Sequence, residues 1–328
     1  MFSMSRRENA ACDITAMKDG LVMRIILAKP RGFCAGVERA IRCVERVLEL
    51  HGPPVYVLNA IVHNGHVVQS LREKGAVFVR RLEEVPRGAS ILFSAHGVGP
   101  DRWEKARERG LCVIDATCPL VEKVHREAKR FASKGYSILL IGEKGHDEVV
   151  GTSGWAPDDI QVIFTDEEAE NVQARDPKRV VYLTQTTLSV DDCNRVVAVL
   201  SRRFPDLVGP AAQDICYATR NRQRAVNDLA PEADLVLVVG DPESANSKRL
   251  AEICRKGGKA SHLISSAAMI QDPWFDGVGT VVVTSGASVP EVLVQGVVEH
   301  LKGLRPCEVE ERETVPEDIH FQLPEAIA

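Results

Sequence analysis

Ala28-Lys29-Pro30-Arg31-Gly32-Phe33-Cys34-Ala35-Gly36-Val37 passes from an apolar β-type run into a helix start, with a cysteine at the junction. The same junction returns at Asp115-Ala116-Thr117-Cys118-Pro119 and at Asp214-Ile215-Cys216-Tyr217, at similar intervals along the 328 residues. A repeated unit governs the architecture before any single element does. Helix N-termini favour negative charge and lower thiol pKa, so thiolates on three equivalent loops suit one shared soft-metal centre.

Outward from each cysteine the plan is the same. After Cys34 come a helix over 37–50, a strand over 55–58 leading to Ile61-Val62-His63-Asn64-Gly65-His66, and a strand over 90–93 ending at Ser94-Ala95-His96-Gly97-Val98. Cys118 leads into a helix over 121–134, then a strand over 137–141 with the loop Gly142-Glu143-Lys144-Gly145-His146-Asp147-Glu148, then a strand over 180–183 with Thr184-Gln185-Thr186-Thr187-Leu188-Ser189. From Cys216 follow a helix over 220–229, a strand over 234–239 with Gly240-Asp241-Pro242-Glu243-Ser244-Ala245-Asn246, and a strand over 280–283 with Thr284-Ser285-Gly286-Ala287-Ser288. His63, His146 and Ser244 stand at nearly equal distances from their cysteines, and His96, Thr186 and Ser288 occupy the third loops.

Alternating strands and helices predict parallel sheets with right-handed crossovers, whose ligands bind beyond the carboxyl ends of the strands. The expected fold is α/β, three pseudo-threefold-related α/β domains around a central site. They run over 23–117, 118–214 and 215–304, and the stretch 23–35 is open to packing with the third. An extension, 1–22, precedes them, and an acidic tail, 305–328, follows, lying on the surface or frayed. The plainer alternative is three successive units whose polar loops face water.

Bulk properties narrow the function. A hydrophobic content of 45% with 27% charge is that of a globular chain. The net charge of −5 argues against a nucleic-acid surface, which needs clustered Lys and Arg. Apolar runs such as 235–239 and 281–283 fall far short of a bilayer span, so no membrane association is expected. The first 22 residues lack the apolar core of a secretory signal, and Met23 is an alternative start. Nine cysteines without an export signal favour reduced thiols or metal ligands, hence the cytoplasm.

Zinc prefers four ligands, often in close Cys-x-x-Cys pairs, and none is present. Three isolated thiolates instead suit an iron-sulfur cluster with one iron left open as a Lewis acid. Cys43, Cys112, Cys193, Cys254 and Cys307 read as structural thiols. Among the histidines, His63, His96 and His146 lie in loops beyond strands, whereas His51, His125, His262, His300 and His320 read as surface or helix residues; His66 is undecided. Glu148, beside His146, is the candidate for proton transfer, and Asp147 is expected to face water. Thr186, Thr187, Ser244, Asn246 and Ser288 are candidate donors to an oxyanion, or simply helix caps.

The motifs Pro30-Arg31-Gly32-Phe33-Cys34-Ala35-Gly36-Val37, Val62-His63-Asn64, Ser94-Ala95-His96-Gly97-Val98, Asp115-Ala116-Thr117-Cys118-Pro119, Gly145-His146-Asp147-Glu148, Thr184-Gln185-Thr186-Thr187-Leu188-Ser189, Ile215-Cys216-Tyr217-Ala218-Thr219 and Gly286-Ala287-Ser288-Val289-Pro290 closely resemble the 4-hydroxy-3-methylbut-2-enyl diphosphate reductase (LytB, or IspH) family from about Met23 to Leu304. The resemblance implies a trefoil around one 4Fe-4S cluster held by Cys34, Cys118 and Cys216, whose fourth iron takes the substrate's allylic hydroxyl. It implies the last step of the non-mevalonate isoprenoid pathway. Two single-electron transfers with proton delivery remove that oxygen as water and give isopentenyl or dimethylallyl diphosphate. By position, Glu148 resembles the proton source, Thr186 and Thr187 flank the hydroxyl end, and His63, His96, His146, Ser244, Asn246 and Ser288 resemble the diphosphate clamp, effective if the histidines are protonated. The implied electron donor is external, ferredoxin or flavodoxin with an NADPH-dependent reductase, since no flavin or nicotinamide fingerprint is present.

Ala245 departs from the family's usual Ser-Ser-Asn, Arg220 from Thr or Gln, and Val289 from Ala. Rival readings are a non-catalytic iron-sulfur sensor, which needs the cysteines but not Glu148, Thr186 or Thr187, and a zinc hydrolase using His63, His96 and His146.

Overall fold

The computed structural model describes residues 22–328. The extension 1–22 therefore lies, apart from Val22, outside the described residues. In chain order the strands are β1 (Met23–Lys29), β2 (Val55–Leu58), β3 (Ala76–Val79), β4 (Ser90–Phe93), β5 (Cys112–Asp115), β6 (Ser137–Ile141), β7 (Ile160–Ile163), β8 (Val180–Thr184), β9 (Leu235–Val239), β10 (Ala260–Ile264), β11 (Thr280–Ser285) and β12 (Cys307–Glu313). They form three sheets, ordered β3-β2-β4-β5, β7-β6-β8 and β10-β9-β11-β1-β12, and every pairing is parallel. The expected α/β fold with parallel sheets is what the chain adopts.

Parallel strands covered on both faces read as continuous apolar runs rather than alternating ones. Leu235-Val236-Leu237-Val238-Val239 is buried throughout, and its residues divide between two cores. Leu235, Leu237 and Val239 pack beneath the helix Glu291–Leu304, whereas Val236 and Val238 meet Ala225, Val226 and Leu250. The second sheet repeats the division, with Leu139 and Ile141 on one face and Ile138 and Leu140 on the other. Fully burying each such side chain stabilises by roughly 1.5–3 kcal/mol. The helix Ala35–His51 turns Val37, Ala40, Val44 and Val47 toward the first sheet, the spacing of one helical face. No helix among the described residues is long and apolar enough to cross a membrane.

Two segments lie where their position in the sequence does not put them. β1 is the neighbour of β11, with Ile25 opposite Val281, and so belongs to the sheet of the third unit. On its other side β12 adds an edge strand, Ile25 opposite Val309, and the acidic tail is thus an ordered part of the fold rather than frayed. Seven residues of each strand pair in register, from Met23 opposite Cys307 to Lys29 opposite Glu313, and charges pair alongside them. Glu310 lies 2.6 Å from Arg24, Glu311 2.7 Å from Arg31 and Glu313 3.4 Å from Lys29. Beyond β12 the chain crosses to the first unit, where Ile327 is buried with Val37, Ala40 and Val44.

Candidate active site

The loops at the carboxyl ends of these strands converge. Cys34, Cys118 and Cys216 are the N-caps of the helices Ala35–His51, Pro119–Ser133 and Tyr217–Leu229. Each cysteine N–H donates to the third loop of another unit: Cys34 to the Ala287 carbonyl at 3.1 Å, Cys118 to that of Ala95 at 3.0 Å, and Cys216 to that of Thr186 at 3.0 Å. The relation is cyclic, each unit holding the next one's cysteine loop. One cavity of about 110 Å³ results, and all twelve residues singled out in the sequence line it: the three cysteines, His63, His96, His146, Glu148, Thr186, Thr187, Ser244, Asn246 and Ser288.

Beside Gly36 the cysteine loops leave no room for a side chain. A β-carbon on Gly36 would stand 2.7 Å from Cys118 Sγ and 3.9 Å from Cys34 Sγ. Burial, reinforced by the neighbouring thiols, pushes Cys118 up to about 12 and Cys216 up to about 11, and burial raises Cys34 as well. Desolvation, which outweighs the Arg222 charge acting on Cys34, thus favours the neutral thiols, and a soft metal would deprotonate them outright. Thr219 stabilises Cys216 locally, its N–H donating to Sγ at 3.4 Å while its hydroxyl oxygen lies 3.1 Å away.

Glu148 is 2% exposed. Its Oε1 accepts the Thr186 N–H at 2.6 Å and its Oε2 the Thr186 hydroxyl at 2.9 Å. Burial favours the neutral acid and the two hydrogen bonds favour the carboxylate; burial wins and raises the group to about 7. The Glu148 N–H in turn donates to Nδ1 of His146, which caps the helix Asp147–Ser153. Thr187 is oriented by Gln185, whose amide donates to Thr187 Oγ1 at 2.8 Å, leaving the hydroxyl proton for the cavity.

The polar end is built from His63, His96 and His146, with ring centroids 4.2 Å apart for the first pair and 5.5 and 5.7 Å to His146. Burial, and for His96 and His146 also the neighbouring imidazoles, lowers all three, His146 to about 4. Burial thus works against the protonated histidines on which the expected clamp depends, and a bound anion would favour them. Ser244 Oγ accepts from the N–H and hydroxyl of Ser247, which frees its own proton for a ligand. Ser288 donates to the His63 carbonyl. His63 Nε2 and both amide atoms of Asn246 are buried without a partner. Each orphaned group costs about 1–3 kcal/mol unless something polar meets it.

Other residues fall differently. His66 is exposed and outside the cavity lining. His125, read as a surface or helix residue, is on a helix but only 5% exposed, because Gly97 at φ +73° lets its ring pack against the His96 turn. Asp147, expected to face water, is half-buried, hydrogen-bonded to Asn59, and groups with His63 and His96. Among the lining residues not singled out as site residues in the sequence are Tyr217, Thr219 and Phe321. Thr219 carried a signal, standing three residues after a capping Cys216; Phe321 carried none. Ala245 is buried in the lining, Val289 is buried in the third unit's core, and Arg220 is exposed beside Gln213. Nothing in the structure explains the Arg220 departure.

Comparison with known proteins agrees with this geometry. A profile of the LytB protein family matches residues 25–302. A 4-hydroxy-3-methylbut-2-enyl diphosphate reductase of Acidothermus cellulolyticus is 56% identical over 302 residues, 92% of this chain and 89% of that protein. One from Mycolicibacterium paratuberculosis is 56% identical over 305 residues, 93% and 92% of the two chains. Among solved structures, the E-1-hydroxy-2-methyl-but-2-enyl-4-diphosphate reductase of Plasmodium falciparum superposes with a TM-score of 0.90 at 36% identity, covering 94% of this chain and 96% of that one. In sequence and in fold alike, the chain belongs to the LytB family.

Proposed function

We propose that the chain reduces (E)-4-hydroxy-3-methylbut-2-enyl diphosphate to isopentenyl and dimethylallyl diphosphate, the last step of the non-mevalonate pathway. The observation that carries this reading is one cavity with three thiols at one end, a doubly hydrogen-bonded acid at its side and orphaned His63 and Asn246 atoms at the other.

The thiol end fits an iron-sulfur group by its donor chemistry: three soft ligands from three loops line one cavity, and Gly36 keeps a β-carbon out of the space beside Cys118 Sγ. Cys34, Cys118 and Cys216 would hold a 4Fe-4S cluster. When bound, such a cluster supplies electrons one at a time and one iron without a protein ligand as a Lewis acid. Net conversion takes two electrons and two protons and releases the allylic oxygen as water.

The chain's own residues bind, orient and move protons. Ser244, Asn246, Ser288 and the three histidines meet the diphosphate, and its charge draws protons onto imidazoles that burial keeps neutral beforehand. The Thr186 hydroxyl donates to Glu148 Oε2; protonation at Oε2 would reverse that bond, and the threonine hydroxyl would then turn its own proton into the cavity toward the allylic end. Thr187 supplies a second donor there. Electrons come from an external one-electron carrier, ferredoxin or flavodoxin, in the cytoplasm.

His63, His96 and Asp147 bring ligand atoms within 4.8 Å of one another and favour, as a second reading, a hydrolytic metal site. Anaerobic purification separates the two. Brown protein with iron and sulfide, turning over the allylic diphosphate with a reduced one-electron donor, is expected. Colourless zinc-loaded protein overturns the reductase, and a cluster-bearing protein without turnover leaves the sensor reading.

A further inference from the structure

Two arginines connect the cysteine loops to the C-terminal segment. Arg222, fully buried, donates from Nη2 to the Gly32 carbonyl at 2.7 Å and from Nη1 to that of Ala218 at 3.0 Å; these residues flank Cys34 and Cys216. Its Nη1 also meets the Glu317 carboxylate at 3.2 Å, and Asn221 donates to the same carboxylate at 3.0 Å. Arg39 donates from Nη1 to the carbonyl of Thr117, the residue before Cys118, at 2.9 Å and from Nε to that of Gln322 at 2.8 Å. All three cysteine loops are thus joined by guanidinium groups to a segment fixed at Glu317 and Gln322. Phe321 stands between those fixed points and lines the cavity. The segment is held at both ends, by the Thr314 N–H on the Lys29 carbonyl and by the buried Ile327, whose carbonyl accepts from Arg46.

Stability alone does not call for this arrangement. A buried ion pair is often no better than apolar residues of the same volume, whereas it fixes position and register. What Arg39 and Arg222 fix is the placement of an aromatic ring against the cavity wall.

We propose that residues 314–328 are a latched cover, with Arg39 and Arg222 as latches and Phe321 as plug, that keeps water and dissolved solutes from the three cysteines. The proposal rests on the metal centre proposed above. A hydrophobic shell controls solvent access to a metal site, so opening it changes lability rather than ligation.

The test is anaerobic transfer of iron from the holoprotein to a water-soluble ferrous chelator, followed by colour. Phe321→Ala is expected to carry wild-type iron and sulfide as purified, to keep its thermal midpoint, and to release iron about tenfold faster. Phe321→Leu restores slow release. Glu317→Gln, which leaves the ring but removes a latch, speeds release and loosens hydrogen-exchange protection over 314–328. Wild-type protein without iron and sulfide overturns the metal centre and the cover with it. Iron-sulfur protein in which Phe321→Ala and Glu317→Gln release iron at the wild-type rate overturns the cover alone.

Discussion

Glu148 and Thr186 are joined twice, backbone N–H to Oε1 at 2.6 Å and hydroxyl to Oε2 at 2.9 Å, so one residue satisfies both oxygens of a buried carboxyl. The pair can pass a proton outward only if the carboxyl carries one. Glu148→Gln keeps the shape and a hydrogen-bonding group but has no proton to give. Turnover with a reduced one-electron donor is expected to fall by about 10²–10⁴-fold. Iron and sulfide content stay at the wild-type level, and a variant that turns over normally reassigns the proton source.

The raised pKa of Glu148 sets a pH dependence with a definite sign. As the acid form is the donor, turnover declines as pH rises through about 7. The folded chain retains this proton up to about 7, whereas the unfolded chain loses it near the ordinary value of 4.5. Its contribution to stability is therefore fully present below 4.5 and is lost as pH rises through the folded value. Denaturant melts between pH 4 and 8 check this, because Glu148→Gln removes that part of the decline. Thr186→Val, lacking both the relaying hydroxyl and one bond to the carboxylate, lowers turnover and moves the limb of what remains upward.

Gly36 separates ligation from folding. A methyl there would stand 2.7 Å from Cys118 Sγ, in the space where the first two cysteine loops meet. The helix tolerates alanine, which has the better propensity by about 1 kcal/mol. Gly36→Ala is therefore expected to fold with wild-type circular dichroism and to retain less than about half of the iron and sulfide, since the steric conflict falls on the ligand rather than on the helix. Full occupancy in this variant contradicts placing the centre at these thiols.

Much of the site was legible because a parallel sheet concentrates it. Once strands alternate with helices, every polar loop after a strand lies at the same edge, so His63, His146 and Ser244 were placed by spacing alone. What escaped depends on contacts remote in sequence. Glu310, Glu311 and Glu313 look unpartnered until the pairing of β12 with β1 sets them beside Arg24, Lys29 and Arg31, some 280 residues earlier in the chain. Phe321 reaches the cavity only because Arg222 and Arg39 hold its neighbours, and nothing near Phe321 in the sequence announces either. His125 does lie on a helix, as read; what escaped was its burial, which follows from the missing β-carbon of Gly97 in the loop after β4.

Ala245 is where the chain departs from its family within the cavity, and its consequence is measurable. It is the first residue of the helix Ala245–Lys256, 3% exposed, between Ser244 and Asn246 in the lining. Ser244 has its acceptor filled by Ser247 and keeps a proton to donate, whereas Ala245 offers the diphosphate end only a methyl group. A hydrogen bond to a charged group contributes about 1.5–3 kcal/mol, reduced when a water already occupies the place. Ala245→Ser is therefore expected to bind inorganic diphosphate about 10-fold more tightly by calorimetry, close to 1.4 kcal/mol. Serine at this first helical position leaves the Ser244 cap in place, so folding does not obscure the comparison. Unchanged affinity would mean that a water serves the anion as well as the hydroxyl does.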